Sequence, residues 1–449
     1  MTHSRDIELG DECPTPLSRL SELAKEDAAR QFYSIAHFLT PQALYEAFKG
    51  LNRKASAGVD GVTFAGYQKE LGRNLQHLWE KLKSGQYRAQ PLRRIYIPKD
   101  DGKSERPISI PALEDKIVQA ATVRLLNAIF EVDFLDCSYG SRPGRSPHQA
   151  LDELNRVLVQ ESITHVLELD IKSYFDSIVR QHLVEMIERR VSDSSILRLI
   201  GKWINVGVIE EGRLLQAEEG VGQGQVVSPL LANVYLHNVL DRWFEDEVKP
   251  RLKGKAFLIR YVDDAVICFQ NAQDAQKVLT VLDKRFSNYG LTLHPEKTRL
   301  VECGWGALKK ATREGRAPAT FDFLGFTHLT ERSRRGFLRS GVHTMKKRLK
   351  RALKKVERQC KEHRHDPVPK QQAALNEKLR NHYQYYGRSS NYPGIWTFYH
   401  VARKTWRKWL SRRTRGTPMS WETYNKLLER YPLLRPRITH PWIHSRSPA

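Results

Sequence analysis

Three aspartates lie where a carboxylate is costly unless it has a function. Asp263 and Asp264 are adjacent, and apolar residues that favour β-strands flank them on both sides. A carboxylate among apolar neighbours is unfavourable unless a cation or a hydrogen bond neutralises it. Aspartate is also common in type I and type I′ turns, so a purely structural turn explains the pair equally well.

Asp170 ends a short apolar segment, residues 165–171, that predicts a β-strand. Asp176 lies where a helix is predicted to begin, and its type favours a helix N-cap. If the strand before Asp170 neighbours the hairpin that carries Asp263 and Asp264, the three carboxylates converge. Such a cluster would bind Mg²⁺ together with substrate phosphates. Two such ions about 3.5–4 Å apart, or Mn²⁺ in their place, would activate a hydroxyl and stabilise a leaving oxygen in phosphoryl transfer.

A glycine-rich segment, residues 220–229, precedes a predicted helix over residues 229–247. Glycine lets the backbone approach a ligand closely, and a helix N-terminus favours anions. An ordinary loop before a helix is an equally good explanation.

The charge of the chain indicates a polyanionic partner. It has 74 Lys and Arg against 51 Asp and Glu, a net charge of +23 and an isoelectric point near 9.8. Residues 346–361 hold nine basic residues and one acid, and residues 403–415 hold seven basic residues and no acid. This clustering favours nucleic acid over an inert basic surface or acidic lipid.

The five cysteines are odd in number and form no Cys-x-x-Cys pair. This argues against a disulfide framework and a zinc finger, and it fits a reducing compartment. No signal peptide and no membrane-spanning apolar run is visible. We expect a soluble, cytoplasmic protein, associated with nucleic acid and not with a membrane.

Strands and helices alternate in an order that favours an α+β domain over a doubly wound sheet. Residues 1–34 are polar and predict a loosely held arm, and beyond about residue 330 the pattern becomes helical and very basic. The predicted elements between are a helix capped by Thr40 with Pro41 in its first turn, a hairpin over residues 93–110 with its turn at 100–102, a helix over 113–130 and a second hairpin over 257–269.

The order of these segments resembles motifs A, B and C of reverse transcriptases, particularly those encoded by bacterial group II introns. Motif A corresponds to Asp170-x4-Phe175-Asp176, motif B to Gly-Gln-Gly-x-Val-Val-Ser-Pro-Leu-Leu-Ala-Asn, and motif C to Tyr-Val-Asp-Asp. Further blocks of that group match residues 57–61, 97–99 with 106–108, 139–144, 293–298, 321–326 and 396–413. The likeness extends from about residue 35 to about residue 440.

The resemblance implies a right-hand polymerase. Fingers and palm with antiparallel sheet would be followed by an all-helical thumb, also called the maturase or X domain. The implied divisions are an N-terminal arm at 1–34, fingers and palm at 35–330, the thumb at 331–415, and a short C-terminal extension at 416–449 without an endonuclease.

The resemblance also implies the metal site. Asp170, Asp263 and Asp264 would be the catalytic carboxylates and would bind two Mg²⁺ ions. The carbonyl group of Ile171 would be a further metal contact.

Four residues would bind the nucleotide by the same resemblance. Lys99 and Arg106 would hold the triphosphate through charge-assisted hydrogen bonds. Phe175 would exclude a ribose 2′-hydroxyl and so select deoxynucleotides, and Gln223 would pack near nucleotide and template. The alternatives are solvated hairpin charges for Lys99 and Arg106, and core packing for Phe175.

The basic helices of the implied thumb would contact phosphates, with an affinity that falls as salt rises. The residues expected to do so are Lys346, Lys347, Arg348, Lys350, Arg351, Lys354, Arg403, Lys404, Arg407 and Lys408. Trp406 and Trp409 would either stack on bases or, more in keeping with a helical domain, pack in its core.

The chain departs from the family at two places near the implied site. Val262 stands where the family more often has alanine. Val-Gly-Gln-Gly-Gln at residues 221–225 stands where the family more often has Thr-Pro-Gln-Gly-Gly. We expect Val262 to affect how a primer terminus is handled, and Gln225, in place of glycine, to crowd the nucleotide pocket.

The expected reaction is attack of a DNA primer 3′-hydroxyl on the α-phosphate of a dNTP, directed by an RNA template. One role is an intron-encoded enzyme that also binds its intron RNA to assist splicing and mobility. Two alternatives stay open: a non-catalytic RNA-binding splicing factor, and a free-standing relative used in DNA repair or phage defence.

Overall fold

The computed structural model describes residues 16–98, 105–210, 213–215, 219–333, 336–413 and 418–442. The helices in these residues are α1 (Pro16–Glu26), α2 (Pro41–Gly50), α3 (Phe64–Gln68), α4 (Leu71–Lys83), α5 (Leu113–Asp133), α6 (Pro147–Gln160), α7 (Arg180–Glu188), α8 (Ser194–Ile204), α9 (Ser228–Leu236), α10 (Ala272–Ser287), α11 (Gly304–Arg313), α12 (Lys346–Glu362), α13 (Val368–Tyr386), α14 (Tyr392–Ser411) and α15 (Trp421–Arg430). The strands are β1 (Leu92–Pro98), β2 (Glu105–Ile110), β3 (His165–Leu169), β4 (Val208–Glu210), β5 (Arg213–Leu215), β6 (Ala256–Tyr261), β7 (Asp264–Phe269), β8 (Arg299–Glu302), β9 (Thr320–Phe323), β10 (Phe326–Arg332) and β11 (Leu338–Thr344). The mixture of helices and antiparallel sheet confirms the α+β class.

The N-terminal helices correct the prediction of a loosely held arm over residues 1–34. Leu20 and Ala24 on α1 are buried, and Ser21 donates a hydrogen bond to the carbonyl oxygen of Ala128 on α5 (2.8 Å). The polar composition concealed an apolar stripe at helical spacing, which binds α1 to α5. Residues 1–15 lie outside the described residues.

Helix α2 begins as predicted. The side chain of Thr40 accepts a hydrogen bond from the amide of Ala43 (3.1 Å), and Pro41 occupies the first turn. Pro fits there because its missing N–H would have had no partner within the helix.

Two sheets carry residues of the predicted site. The first has the order β2-β1-β4-β5, with β1 and β2 antiparallel, as predicted, and β1 parallel to β4. The predicted turn at 100–102 lies outside the described residues. The second, which we call the central sheet, has the order β6-β7-β3-β8 and is antiparallel throughout.

Asp176 does not cap a helix. It lies in a short 3₁₀ turn, Tyr174–Ser177, and helix α7 begins only at Arg180, after Val179 as its N-cap residue. The cause is the backbone of Ser173, whose φ of +48° turns the chain tightly. The carbonyl group of Ser173 accepts a hydrogen bond from the amide of Asp176 (2.9 Å).

The C-terminal part differs from the predicted all-helical domain over 331–415. Strand β11 pairs with β10, and β9, β10 and β11 form a third sheet before the helices begin. Helix α15 lies within residues 416–449, and its Tyr424 is buried in the same core as α13 and α14. In the part of the chain that the structure describes, no helix combines the length and apolar character that crossing a bilayer requires.

His328 on β10 should make the fold sensitive to acid. It is buried and stacked on Phe321 (5.0 Å between ring centres), and burial lowers its pKa from 6.5 to about 3. The unfolded chain therefore binds this proton more readily than the folded chain, so stability is lost as pH falls from about 6.5 towards about 3. Each pKa unit corresponds to about 1.4 kcal/mol.

We therefore predict that His328→Phe reduces the fall in the free energy of unfolding between pH 7 and pH 4, measured by urea denaturation. His77→Phe, at an exposed position, is the control and should leave the fall unchanged. An equal pH dependence in wild type and H328F would contradict the prediction.

Candidate active site

The edge of the central sheet brings the three predicted aspartates together. Leu169, the last residue of β3, pairs with Ala265 on β7. Asp170 and Asp264 therefore lie opposite each other at the ends of neighbouring strands. Asp263 lies beside them, in the two-residue turn between β6 and β7.

Burial and like charge destabilise the ionised forms of two of these side chains. Burial raises the pKa of Asp264 to about 7, and Asp263 and Asp170 add to that shift. Burial also raises the pKa of Asp263, where Arg106 opposes the shift and Asp170 adds to it. A cation bound between these carboxylates would favour their ionised forms.

Lys297 is a site residue to which the sequence analysis assigned no role. Its ammonium group lies 3.1 Å from Oδ2 and 3.2 Å from Oδ1 of Asp170. The carbonyl group of Asp170 accepts a hydrogen bond from the amide of His294 (2.8 Å). Segment 293–298 therefore holds both the backbone and the side chain of Asp170. A lysine in a segment already matched to the family was the available signal.

The side chain of Asp264 is held by a hydrogen bond from the turn between β9 and β10. The amide of Leu324 donates to Oδ2 of Asp264 (3.2 Å), and the hydroxyl of Tyr385 on α13 donates to the carbonyl oxygen of Leu324 (2.8 Å). Leu324 and Gly325 have φ values of +50° and +79°, as a type I′ turn requires. A carboxylate of the site is thus connected to the C-terminal helices through one backbone turn.

The turn that carries Asp263 rests on a fully buried ion pair. Arg260 on β6 and Asp241 have side chains with no exposed surface, and Nε and Nη2 of Arg260 donate to the two carboxylate oxygens of Asp241 at 2.7 and 2.5 Å. Nη1 of Arg260 donates to the carbonyl oxygen of Val262 and to Oδ1 of Asn233 (both 2.9 Å). A charged residue inside an apolar strand was the sequence signal for this network.

The turn between β6 and β7 is neither a type I nor a type I′ turn, the two types that a purely structural role for the aspartate pair would predict. Val262 has φ +58°, whereas Asp263 has a negative φ, which is the pattern of a type II′ turn rather than I or I′. A β-branched residue is strained at positive φ. Gly140 packs directly against it, because a Cβ at residue 140 would lie 2.3 Å from the amide nitrogen of Val262.

Of the predicted nucleotide-binding residues that the structure describes, Arg106 lies near the carboxylates, and Phe175 lies beside the segment of Gln223. Arg106 on β2 is exposed and its charge acts on Asp263. Phe175 is half-buried against the core, and its carbonyl group accepts from the amide of Val221 (2.8 Å), which joins it to the segment of Gln223. Lys99 lies outside the described residues.

Ile171 and Gln225 lie away from solvent. Ile171 follows Asp170, pairs with Leu293 in an isolated β-bridge, and has a buried side chain. The expectation that Gln225 crowds the nucleotide pocket is wrong. Its side chain is 3 % exposed and turns into the core, where its amide finds hydrogen-bond partners.

The basic residues of α12 and α14 differ in their surroundings. Lys346, Lys347, Lys350, Lys354, Lys404 and Lys408 are exposed, whereas Arg348, Arg351, Arg403 and Arg407 are half-buried. Arg407 donates to the carbonyl oxygen of Met419 and lies over the ring of Trp421, so it also fastens α15 to α14. Trp406 is buried, and Trp409 is half-buried between Lys408 and Arg412.

The carboxylates are not a preformed metal cluster. Among the residues that the structure describes, no three His, Cys, Asp or Glu side chains are arranged to hold a metal ion. The ammonium of Lys297 contacts Asp170, and one oxygen of Asp264 accepts from Leu324. The donor set still fits a hard divalent cation, because carboxylate oxygens converge at one edge and their negative charge is destabilised there.

Comparison with known proteins identifies the family of this chain. The family model for reverse transcriptase (RNA-dependent DNA polymerase) matches residues 97–328. Protein YkfC of Escherichia coli K12 is 33 % identical over 358 residues, which are 72 % of this chain and 89 % of YkfC. Group II intron-encoded protein LtrA of Lactococcus lactis subsp. cremoris is 30 % identical over 283 residues, 60 % of this chain and 46 % of LtrA.

The matched region contains motifs A, B and C, the whole central sheet, and strands β2, β4 and β5 of the first sheet. The chain therefore belongs to the reverse transcriptase family and is an RNA-directed DNA polymerase. Within the family it is of the group II intron type, which confirms the resemblance of its motifs. Its substrates accordingly include an RNA template.

Replacing one partner of the buried ion pair should destabilise the protein. Asp241→Asn leaves the Arg260 charge buried and without a counter-ion, which costs about 3–5 kcal/mol. We expect a loss of this order in the free energy of unfolding, measured by urea denaturation. Asp246→Asn is the matched control, since Asp246 is 57 % exposed and pairs with Arg242 within one turn. Equal losses in the two variants would exclude the assigned role of the pair.

Proposed function

We propose that the enzyme extends a primer 3′-hydroxyl with dNTPs on an RNA template by two-metal phosphoryl transfer. The observation that supports this most directly is the meeting of Asp170, Asp263 and Asp264 at the ends of adjacent strands. In this proposal Asp170, Asp263 and Asp264 hold Mg²⁺ ions, with the carbonyl group of Ile171 as a further ligand. Bound Mg²⁺ would supply Lewis-acid stabilisation of the attacking and leaving oxygens.

The surrounding residues prepare the carboxylates for this role. Lys297 balances the charge of Asp170, and a cation bound by Asp170 would take the place of its ammonium group. Leu324 and Tyr385 hold Asp264 in one orientation. Arg260 donates a hydrogen bond to the carbonyl oxygen of Val262 and so holds the backbone next to Asp263.

The polymerase parts follow from the order of the elements. We assign fingers and palm to residues 35–330, with β1 and β2 as the finger hairpin and the central sheet as the palm. Helices α12 to α14, within residues 331–415, form the thumb, and the helix in residues 416–449 is packed onto it. Template and primer would lie in the groove between these parts.

The nucleotide contacts are proposed from the residues around the carboxylates. Arg106, together with Lys99, would hold the triphosphate, because a guanidinium group binds phosphate oxygens through charge-assisted hydrogen bonds. Phe175 would lie under the sugar and exclude a 2′-hydroxyl. Gln223 would pack against nucleotide and template.

A second role, binding of group II intron RNA to assist splicing and mobility, is supported by similarity to LtrA, which is named for its group II intron. Its proposed phosphate contacts include the predicted contact residues that are exposed on α12 and α14, which are Lys346, Lys347, Lys350, Lys354, Lys404 and Lys408. Their affinity for RNA should fall steeply with salt.

Asp263→Asn should abolish DNA synthesis while leaving RNA binding intact. Loss of a metal-binding carboxylate removes several kcal/mol of transition-state stabilisation, so we expect at least about a thousandfold slower primer extension. Extension of a DNA primer on RNA with Mg²⁺ measures the first effect, and filter binding measures the second. Asp283→Asn, an exposed position on α10, is the control, and full activity of D263N would refute the site.

Phe175→Val should relax selection against ribonucleotides. A smaller side chain leaves room for the 2′-hydroxyl, and we expect the ratio of kcat/KM for dNTP over rNTP to fall about tenfold to a hundredfold. Single-nucleotide incorporation assays give this ratio. Phe257→Val, at a half-buried position on β6, should leave the ratio unchanged, and an unchanged ratio in F175V would assign Phe175 to packing alone.

A further inference from the structure

The two unusual residues of the glycine-rich segment are in contact with each other. A Cβ built on Gly222 would lie 2.9 Å from Nε2 of Gln225 and 2.8 Å from Cδ1 of Leu92 on β1. The Gln225 side chain therefore occupies the space that a side chain at residue 222 would need. The family more often has proline at residue 222 and glycine at residue 225. In this chain the larger side chain is instead at residue 225.

The Gln225 amide is held by a buried partner from another element. Gln119 on α5 has no exposed surface, and its Nε2 donates to Oε1 of Gln225 (2.9 Å). Nε2 of Gln225 donates to the carbonyl oxygen of Trp203 on α8 (3.1 Å). Oε1 of Gln119 accepts from the amide of Val226 (2.9 Å). The two amide side chains thus tie the segment to α5 and α8, and buried amides are costly to leave without partners.

The glycine-rich segment also contacts the finger hairpin formed by β1 and β2. The carbonyl group of Gln223 accepts a hydrogen bond from the amide of Ser109 on β2 (2.7 Å). A Cβ on Gly224 would lie 2.7 Å from the carbonyl oxygen of Ser109. A shift of the segment would consequently move Gln223 relative to β2, the strand that carries Arg106.

We propose that Gln225 is a positioning residue for the incoming nucleotide. Its side chain, seated over Gly222 and bound by Gln119, fixes the distance between Gln223 and the finger hairpin. The inference rests on the proposed role of Gln223 and Arg106 in nucleotide binding. It predicts that losing the Gln225 contacts weakens dNTP binding more than it slows the chemical step.

A double-mutant cycle tests the shared space. We compare Gly222→Ala, Gln225→Ala and the double variant with wild type in steady-state incorporation of one dNTP on an RNA template. Each single variant should raise KM for dNTP about five- to tenfold, with kcat changed less than about twofold. In the double variant the added methyl group no longer meets Gln225 and meets only the flexible end of the Leu92 side chain, so its KM should be close to that of Q225A. Additive effects of the two substitutions would overturn the proposal, because independent sites add.

Two further variants separate positioning from general stability. Gln225→Met keeps the volume but removes both hydrogen bonds, and it should also raise KM for dNTP. Gln276→Ala, at an exposed position on α10, should leave KM unchanged. If the variants lower the melting temperature while the KM of the folded enzyme stays at the wild-type value, Gln225 is a packing residue and the proposal is wrong. If wild type fails to incorporate dNTP at all, the proposed function fails first.

Discussion

The buried ion pair of Arg260 and Asp241 is the constraint on which the site depends. Neither charge reaches solvent, so each requires the other, and the remaining guanidinium hydrogens require Val262, Asn233 and Ser138. Val262 is at the tip of the β6–β7 hairpin, Asn233 is on helix α9, and Ser138 forms an isolated β-bridge with Arg260. The Arg260 side chain therefore connects three parts of the chain beneath the turn. It also stabilises the backbone of Val262 at its positive φ.

The charges of the site are balanced from outside the three carboxylates. Lys297 meets Asp170, and the amide of Leu324 meets Asp264. Without such contacts, the negative groups at this sheet edge would repel one another. The same contacts connect the site to its neighbours, because Tyr385 of α13 holds the Leu324 turn. The position of the C-terminal helices and the orientation of a proposed metal ligand are thus linked.

Much of the fold near the site followed from local patterns. The cap at Thr40, the hairpin of β6 and β7 and the long helix α5 were predictable because their signals lie within a few residues. Two predictions that failed involve residues whose partners are distant in the sequence. Helix α1 packs against α5, and the hydrogen bond from Ser21 to Ala128 joins residues 107 positions apart. The inward turn of Gln225 was likewise unpredictable, because Gln119 lies 106 residues earlier.

By itself the sequence determined the family and the type of chemistry and predicted which three aspartates form the site, because motif order and residue type are properties of the chain. Tertiary structure decided which groups balance those aspartates and which residues hold them. Lys297 and Asp170 are 127 residues apart, and Leu324 and Asp264 are 60 apart. Electrostatic and hydrogen-bond energies depend on distance in space, so these contacts exist only once the sheets and helices have packed.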